Sequence, residues 1–139
     1  MEFYFDFKNN LNFISNYGPT LEYYKEIQQK GFQQILWLIN DRITEVGVMN
    51  FFVYWVNKKG EKELVTCPLD GTILPGVMRD SVINVANEWG IQVSERNFYI
   101  QEIIEAIKEK RIIEAFGTGT AAIICPIKSI HFKGEVKLN

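Results

Sequence analysis

At 139 residues the chain is the size of one domain, and a compact fold of that length takes about 70% of its extended-chain surface out of water. With 47% hydrophobic and 23% charged residues it has the composition of a globular protein and not of a disordered one. Its 15 basic and 17 acidic side chains, net -2, are mixed along the chain, which leaves no cationic stripe to neutralise a nucleic-acid backbone.

Two cysteines, Cys67 and Cys125, are too few for a disulfide scaffold, and neither belongs to a metal-ligand cluster; the expectation is a reducing, intracellular compartment and no metal. The longest apolar stretches, 51–56 and 121–127, are far shorter than the roughly 20 residues of a membrane helix. Residues 1–10 lack the basic start and apolar run of a signal peptide. No repeat or low-complexity linker divides the chain, so one folded unit is expected.

In chain order, residues 20–30 follow Gly18-Pro19 and close on Gly31, which predicts a short helix. The β-branched and aromatic runs 34–39 and 51–57 predict strands, the second joined through Asn57-Lys58-Lys59-Gly60 to residues 63–66 as a hairpin. Val82, Val85, Ala86 and Trp89 fall at i, i+3, i+4 and i+7 before Gly90 and predict a helix that stops there. A strand over 91–98 leads to a helix over 101–110, with Ile103, Ile104 and Ile107 on one face. Strands follow at 112–116 and 121–127, and residues 129–136 predict a last hairpin through Lys133-Gly134. The class is mixed α/β.

Four features could carry chemistry. Gly117-Thr118-Gly119-Thr120-Ala121 offers backbone amides and hydroxyls for an anion, although a plain glycine-rich turn is the commoner explanation of such a stretch. Leu74-Pro75-Gly76-Val77-Met78 runs into a helix N-terminus, where free amides suit a phosphate; a Pro-Gly turn before an ordinary helix is the bland alternative. Glu45, between apolar neighbours, either faces solvent or enters an enclosed space where it needs a positive partner. Tyr17 is either a core edge or a phenol donor. The single histidine, His131, has no acidic or cysteine neighbour and is expected at the surface. The charge runs Lys58-Lys59 and 108–111 read as a hairpin tip and a helix end.

These features occur together and in order within longer phrases: Asn16-Tyr17-Gly18-Pro19-Thr20, Ile43-Thr44-Glu45-Val46-Gly47-Val48-Met49-Asn50, Gly71-Thr72-Ile73-Leu74-Pro75-Gly76-Val77 and Glu114-Ala115-Phe116-Gly117-Thr118-Gly119-Thr120-Ala121. In this the chain resembles the class IV pyridoxal-phosphate-dependent aminotransferases, specifically the branched-chain amino-acid group, over residues 12–133. The resemblance implies an α+β fold, the large pseudobarrel-like cofactor-binding domain of that class in incomplete form. Residues 1–11 diverge and 12–139 form the domain, with the family's small N-terminal domain and last C-terminal segment absent.

By resemblance Tyr17 meets the phenolic oxygen of pyridoxal 5′-phosphate, Glu45 faces the ring nitrogen, and Leu74 packs on the ring. Gly76, the amides of Val77 and Met78, and Thr120 take the phosphate; Val48, Met49 and Ala121 meet the substrate carboxylate. The family moves an amino group between leucine, isoleucine or valine and 2-oxoglutarate. The lysine that carries the cofactor would stand at Asn12, so no catalytic residue and no covalent attachment are expected, and Lys8 is four residues too early. Val48 stands where a threonine is usual and Met78 where a threonine or small aliphatic residue is usual, and Ala122 with Cys125 replaces the redox cysteine pair of some members. The chain is therefore expected to be a fragment or inactive copy of a cytoplasmic or mitochondrial enzyme, a homodimer or a dimer with a full-length relative, with no nucleic-acid or membrane partner. A non-catalytic binding module is the alternative, and a class IV enzyme acting on D-amino acids or aminodeoxychorismate a third reading.

Overall fold

The computed structural model describes residues 2–5, 25 and 27–132. Nine strands form one sheet: β1 (Glu2–Phe5), β2 (Gln34–Ile39), β3 (Arg42–Val46), β4 (Met49–Val56), β5 (Lys62–Thr66), β6 (Gln92–Glu95), β7 (Ile112–Thr118), β8 (Ile124–Pro126) and β9 (Ser129–Phe132). Among the described residues, the helices α1 (Val77–Glu88) and α2 (Ile100–Lys108) pack against it. The order is β6-β5-β4-β3-β2-β1-β9, with β7 paired to β4 and β8 to β7.

Strand β4 has three partners, and this sets the geometry of everything that follows. Residues Asn50 to Trp55 pair with β7. A strand has only two edges, so β3 and β5 share the other one: β3 takes Met49 and Asn50, and β5 takes Phe52 to Val56. The sheet splits where β3 gives way to β5. The chain leaving β5 enters that split, where the Cys67 thiol meets the Ile43 carbonyl at 3.1 Å and the Thr66 hydroxyl donates to Phe51 O at 2.7 Å.

Both faces of β4 are buried, as its unbroken apolar run suggests. Phe51, Val53 and Trp55 join a core with Val65, Ala115, Phe98 and the buried face of α2. Phe52 lies on the other face with Leu64, Phe116 and the Ile83 and Ala86 side chains of α1. Phe52 and Phe116 are register partners with rings stacked at 5.2 Å.

Strand β5, helix α1 and strand β6 form a βαβ unit, since β5 and β6 run parallel. Arg79 locks it: its Nη2 donates to Cys67 O at 2.7 Å and to Glu95 Oε2 at 2.6 Å. The buried side of α1 is Arg79, Ile83 and Ala86, rotated from the apolar set at helical spacing, of which Val82 is half-buried against the core and Val85 and Trp89 are exposed. The helix is rotated because the arginine's hydrogen bonds, invisible to an apolar pattern, are satisfied only inward.

Other elements follow the expectation with shifted ends. The 34–39 strand, the 57–60 hairpin tip and the isoleucine face of α2 are present. Residues 25 and 27–29 are helical and Gly31 has φ 85, while the rest of the 20–30 helix lies outside the described residues. The 91–98 strand is confined to β6, because Phe98 turns into the core and its carbonyl accepts the Ile43 amide. The 121–127 strand shrinks to β8. The strand at 129–132 pairs in parallel with β1, a strand that the sequence reading did not anticipate; the 133–134 turn lies outside the described residues. His131 is half-buried, its ring edge-on to Phe32 at 4.7 Å, which corrects the surface placement.

Candidate functional site

Beyond Phe52 and Phe116, the α1-side face of the sheet changes character. Two residues further along each strand, Asn50 of β4 is the register partner of Thr118 of β7, and on its other side the partner of Glu45 of β3. Directly opposed residues share a face, so Glu45, Asn50 and Thr118 form a polar row across three strands. All three are buried.

The row meets the segment arriving at α1. Glu45 Oε1 accepts the Leu74 amide at 3.0 Å, and Asn50 Nδ2 donates to the Leu74 carbonyl at 2.8 Å. Burial pushes the Glu45 carboxyl above its ordinary range, and the Leu74 amide works in the opposite direction. A carboxylate held this way is favoured by a cationic or N–H partner at its remaining lone pairs. The solvent-facing alternative for Glu45 does not hold.

Two residues past Leu74, Gly76 caps α1 with no side-chain hydrogen bond to the helix. The amides of the first turn therefore keep their donor capacity for a ligand, and the helix dipole favours an anion there. Val77 is 82% exposed and Leu74 63% exposed, so this rim is open. Gly76 itself approaches the Asn50 side chain so closely that a Cβ would overlap Asn50 Oδ1.

The other rim is the β3–β4 turn against the end of β7. Gly47 has φ 59, as the first position of a tight two-residue hairpin turn demands, and Val48 beside it is exposed. The glycines of 117–121 have a packing reason that the sequence reading missed. Gly117 lies inside β7, where a Cβ would stand 2.8 Å from Val46 Cγ1; one on Gly119 would stand 2.9 Å from Met49 Cγ. Small residues there let Met49 and the turn lie against the strand end. Thr120 and Ala121 follow, exposed.

Glu45, Leu74, Gly76, Val77 and Met78 are thus brought together at one rim, and Val48, Met49, Thr120 and Ala121 at the other, joined by the polar row. Tyr17 and Asn12 lie outside the described residues. Asn50, Thr118 and Arg79 were not singled out from the sequence. The signal for Asn50 was present: a lone amide at the head of an eight-residue strand whose other seven members are apolar. The Thr118 hydroxyl is buried without a hydrogen-bond partner. Among the described residues no cluster of histidine, cysteine or carboxylate side chains could hold a metal, and no helix is long and apolar enough to cross a membrane.

The chemistry of this donor set suits a group with an N–H cation at one end, for Glu45, and a phosphate at the other, for the helix N-terminus. The family model for amino-transferase class IV matches residues 14–130. A branched-chain-amino-acid aminotransferase of Dictyostelium discoideum is 58% identical over 123 residues, 87% of this chain and 32% of that protein. The chain spans about a third of the length of the relatives it matches. Among solved structures, a branched-chain amino acid aminotransferase from Escherichia coli superposes with TM-score 0.69 at 29% identity, covering 93% of this chain and 43% of that one. That of Thermobaculum terrenum, solved in its PLP form, gives 0.63 at 31% identity, with coverages of 77% and 32%.

Proposed function

We propose, from the premise that this chain belongs to the class IV amino-transferase family and within it to the branched-chain aminotransferases, that it is a binding domain for pyridoxal 5′-phosphate. One observation carries the reading. A buried glutamate is held by the amide of Leu74, two residues before an uncapped helix N-terminus.

When bound, the cofactor supplies an electron sink for charge at the amino acid's α-carbon. Glu45 keeps the proton on the ring nitrogen, its own burial making a shared or paired proton favourable. The Val77 and Met78 amides, with Thr120, receive the phosphate next to Gly76, and the exposed Leu74 side chain covers one ring face. Tyr17 donates to the phenolic oxygen. Val48, Met49 and Ala121 lie where a substrate carboxylate is received. The substrates of the whole protein are leucine, isoleucine or valine with 2-oxoglutarate, and its assembly is a dimer.

Asn12 at the place of the cofactor-linking lysine favours a second reading for this chain: a binding module that holds the cofactor without covalent attachment and pairs with a full-length relative. Titration with pyridoxal 5′-phosphate, followed by tryptophan fluorescence, tests the binding claim. Borohydride reduction and peptide mapping test the attachment claim: no adduct forms in the native chain, and one forms at position 12 in Asn12→Lys. An adduct on Lys8 of the native chain would overturn the non-covalent reading, and an absence of saturable binding would overturn the function itself.

A further inference from the structure

Asn50 stands at the crossing point of the site. It is the register partner of Glu45 on one side and of Thr118 on the other. Its Nδ2 donates to the Leu74 carbonyl, while Glu45 accepts the Leu74 amide. The same Leu74 carbonyl also accepts the Gly76 amide at 2.9 Å, which folds the 74–76 segment into the tight entry of α1. Both polar groups of Leu74's backbone are therefore anchored to adjacent strands of the sheet, although its side chain is exposed. Gly76 is seated directly against the Asn50 side chain.

We infer that Asn50 is a positioning residue, whose amide clamps the 74–76 segment so that Glu45 and the N-terminal amides of α1 are held in one fixed relation. The inference rests on the proposed cofactor site but concerns the chain's own geometry. Hydrogen bonds between a sheet and a loop are the means by which a rigid element lends its precision to a flexible one. Without the Asn50 donor, the Leu74 carbonyl keeps only the local Gly76 amide, and nothing ties the segment to β4. Leu74 then swings on Pro75, the Glu45 carboxylate loses its amide, and the helix N-terminus loses its register with the glutamate. Thr118, the third member of the row, presents its buried, unpartnered hydroxyl beside Asn50 and confines the Asn50 side chain from the β7 side.

The test needs no cofactor. Amide hydrogen exchange of Leu74, measured against that of the core residue Phe52, and the titration of Glu45 by carbon NMR are followed in the native chain, Asn50→Ala and Asn50→Asp. In Asn50→Ala the Leu74 amide is expected to exchange about ten-fold faster relative to Phe52, as for the loss of one hydrogen bond, and the Glu45 midpoint to move upward. In Asn50→Asp the clamp is expected to return when the new carboxyl is protonated and can donate, and to fail when it ionises, so Leu74 protection becomes pH-dependent. A residue that merely fills the core would lower thermal stability without these two signatures. Unchanged Leu74 protection in both variants overturns the inference. If Asn50→Ala does not fold, Gly76→Ala, which pushes on the same amide from the other side, must show the Leu74 and Glu45 changes or the inference falls. Binding of pyridoxamine 5′-phosphate is then measured separately. Failure of the native chain to bind it counts against the cofactor reading, and equal binding by native and Asn50→Ala counts against the clamp.

Discussion

Glu45 and Asn50 face each other across β3 and β4 and take the amide and the carbonyl of one residue, Leu74, in bonds of 3.0 and 2.8 Å. An acid and an amide that are five positions apart across a two-residue turn thus hold a segment some 25 residues downstream. The turn is short because Gly47 adopts a positive φ, and it lies close to β7 because residues 117 and 119 lack side chains.

Glu45 gives stability an unusual pH dependence. Burial raises its folded-state pKa above the ordinary value, so the folded chain holds the proton more tightly than the unfolded one. Its contribution is full below the unfolded value and is lost as pH rises through the folded one. Glu45→Gln is expected to melt above the native chain at pH 8, with the gap closing towards pH 4. It is also expected to bind pyridoxal 5′-phosphate more weakly. Thermal melts across that range check the sign, and a variant melting below the native chain at pH 8 contradicts it.

Asp70 behaves oppositely. The Thr72 hydroxyl and the Arg42 guanidinium hold its carboxyl at about 2. Its stabilisation is present above the unfolded value near 3.8 and fades as pH falls towards 2. Asp70→Asn should therefore lower the melting temperature at pH 7 and leave it unchanged near pH 2.

Gly117→Ala places a methyl 2.8 Å from Val46 Cγ1 and 3.1 Å from Met49 Cε. The cost expected from overpacking is about 1–3 kcal/mol. Denaturant unfolding measures it, and Met49→Ala in the same chain should recover part of the loss by opening space. No recovery would mean that Val46 alone sets the limit.

Arg79 is buried, while its partner Glu95 is half-exposed. Removing the arginine leaves Glu95 solvated but strands the Cys67 carbonyl, so Arg79→Ala should cost at least about 1–3 kcal/mol. Arg79→Lys should recover part of the loss, because one nitrogen, Nη2, makes both bonds and a single ammonium also carries donors for two acceptors. Equilibrium unfolding of the two variants provides the comparison.

Cys67 is buried and donates to Ile43 O, and burial pushes its thiol up to about 12. It should resist alkylation at pH 8 in the folded chain and react on unfolding. Mass mapping after iodoacetamide treatment, with and without denaturant, reads this directly.

Much of the architecture was legible locally. The apolar run 51–56, the Asn57 to Gly60 turn and the isoleucines of α2 each report on a few neighbouring residues, and the elements they predict appear. The inward face of α1 was not legible from apolar spacing because it is led by Arg79, whose burial depends on Cys67 and Glu95, residues distant in sequence. The pairing of β9 with β1 was not anticipated because it joins segments from opposite ends of the sequence.

The site divides in the same way. By itself the sequence determined the family, and through that resemblance it singled out Glu45 and the helix entry at 74–78, because those depend on residue identity at short spacing. It also determined that Asn12 offers no amine. Only the tertiary structure decided that Glu45 is buried, that residues 117 and 119 must be glycine, and that Asn50 ties the two halves together. Those properties arise from β4 serving three partners at once, and a strand's partners are set by contacts between distant segments, on which local pattern is silent.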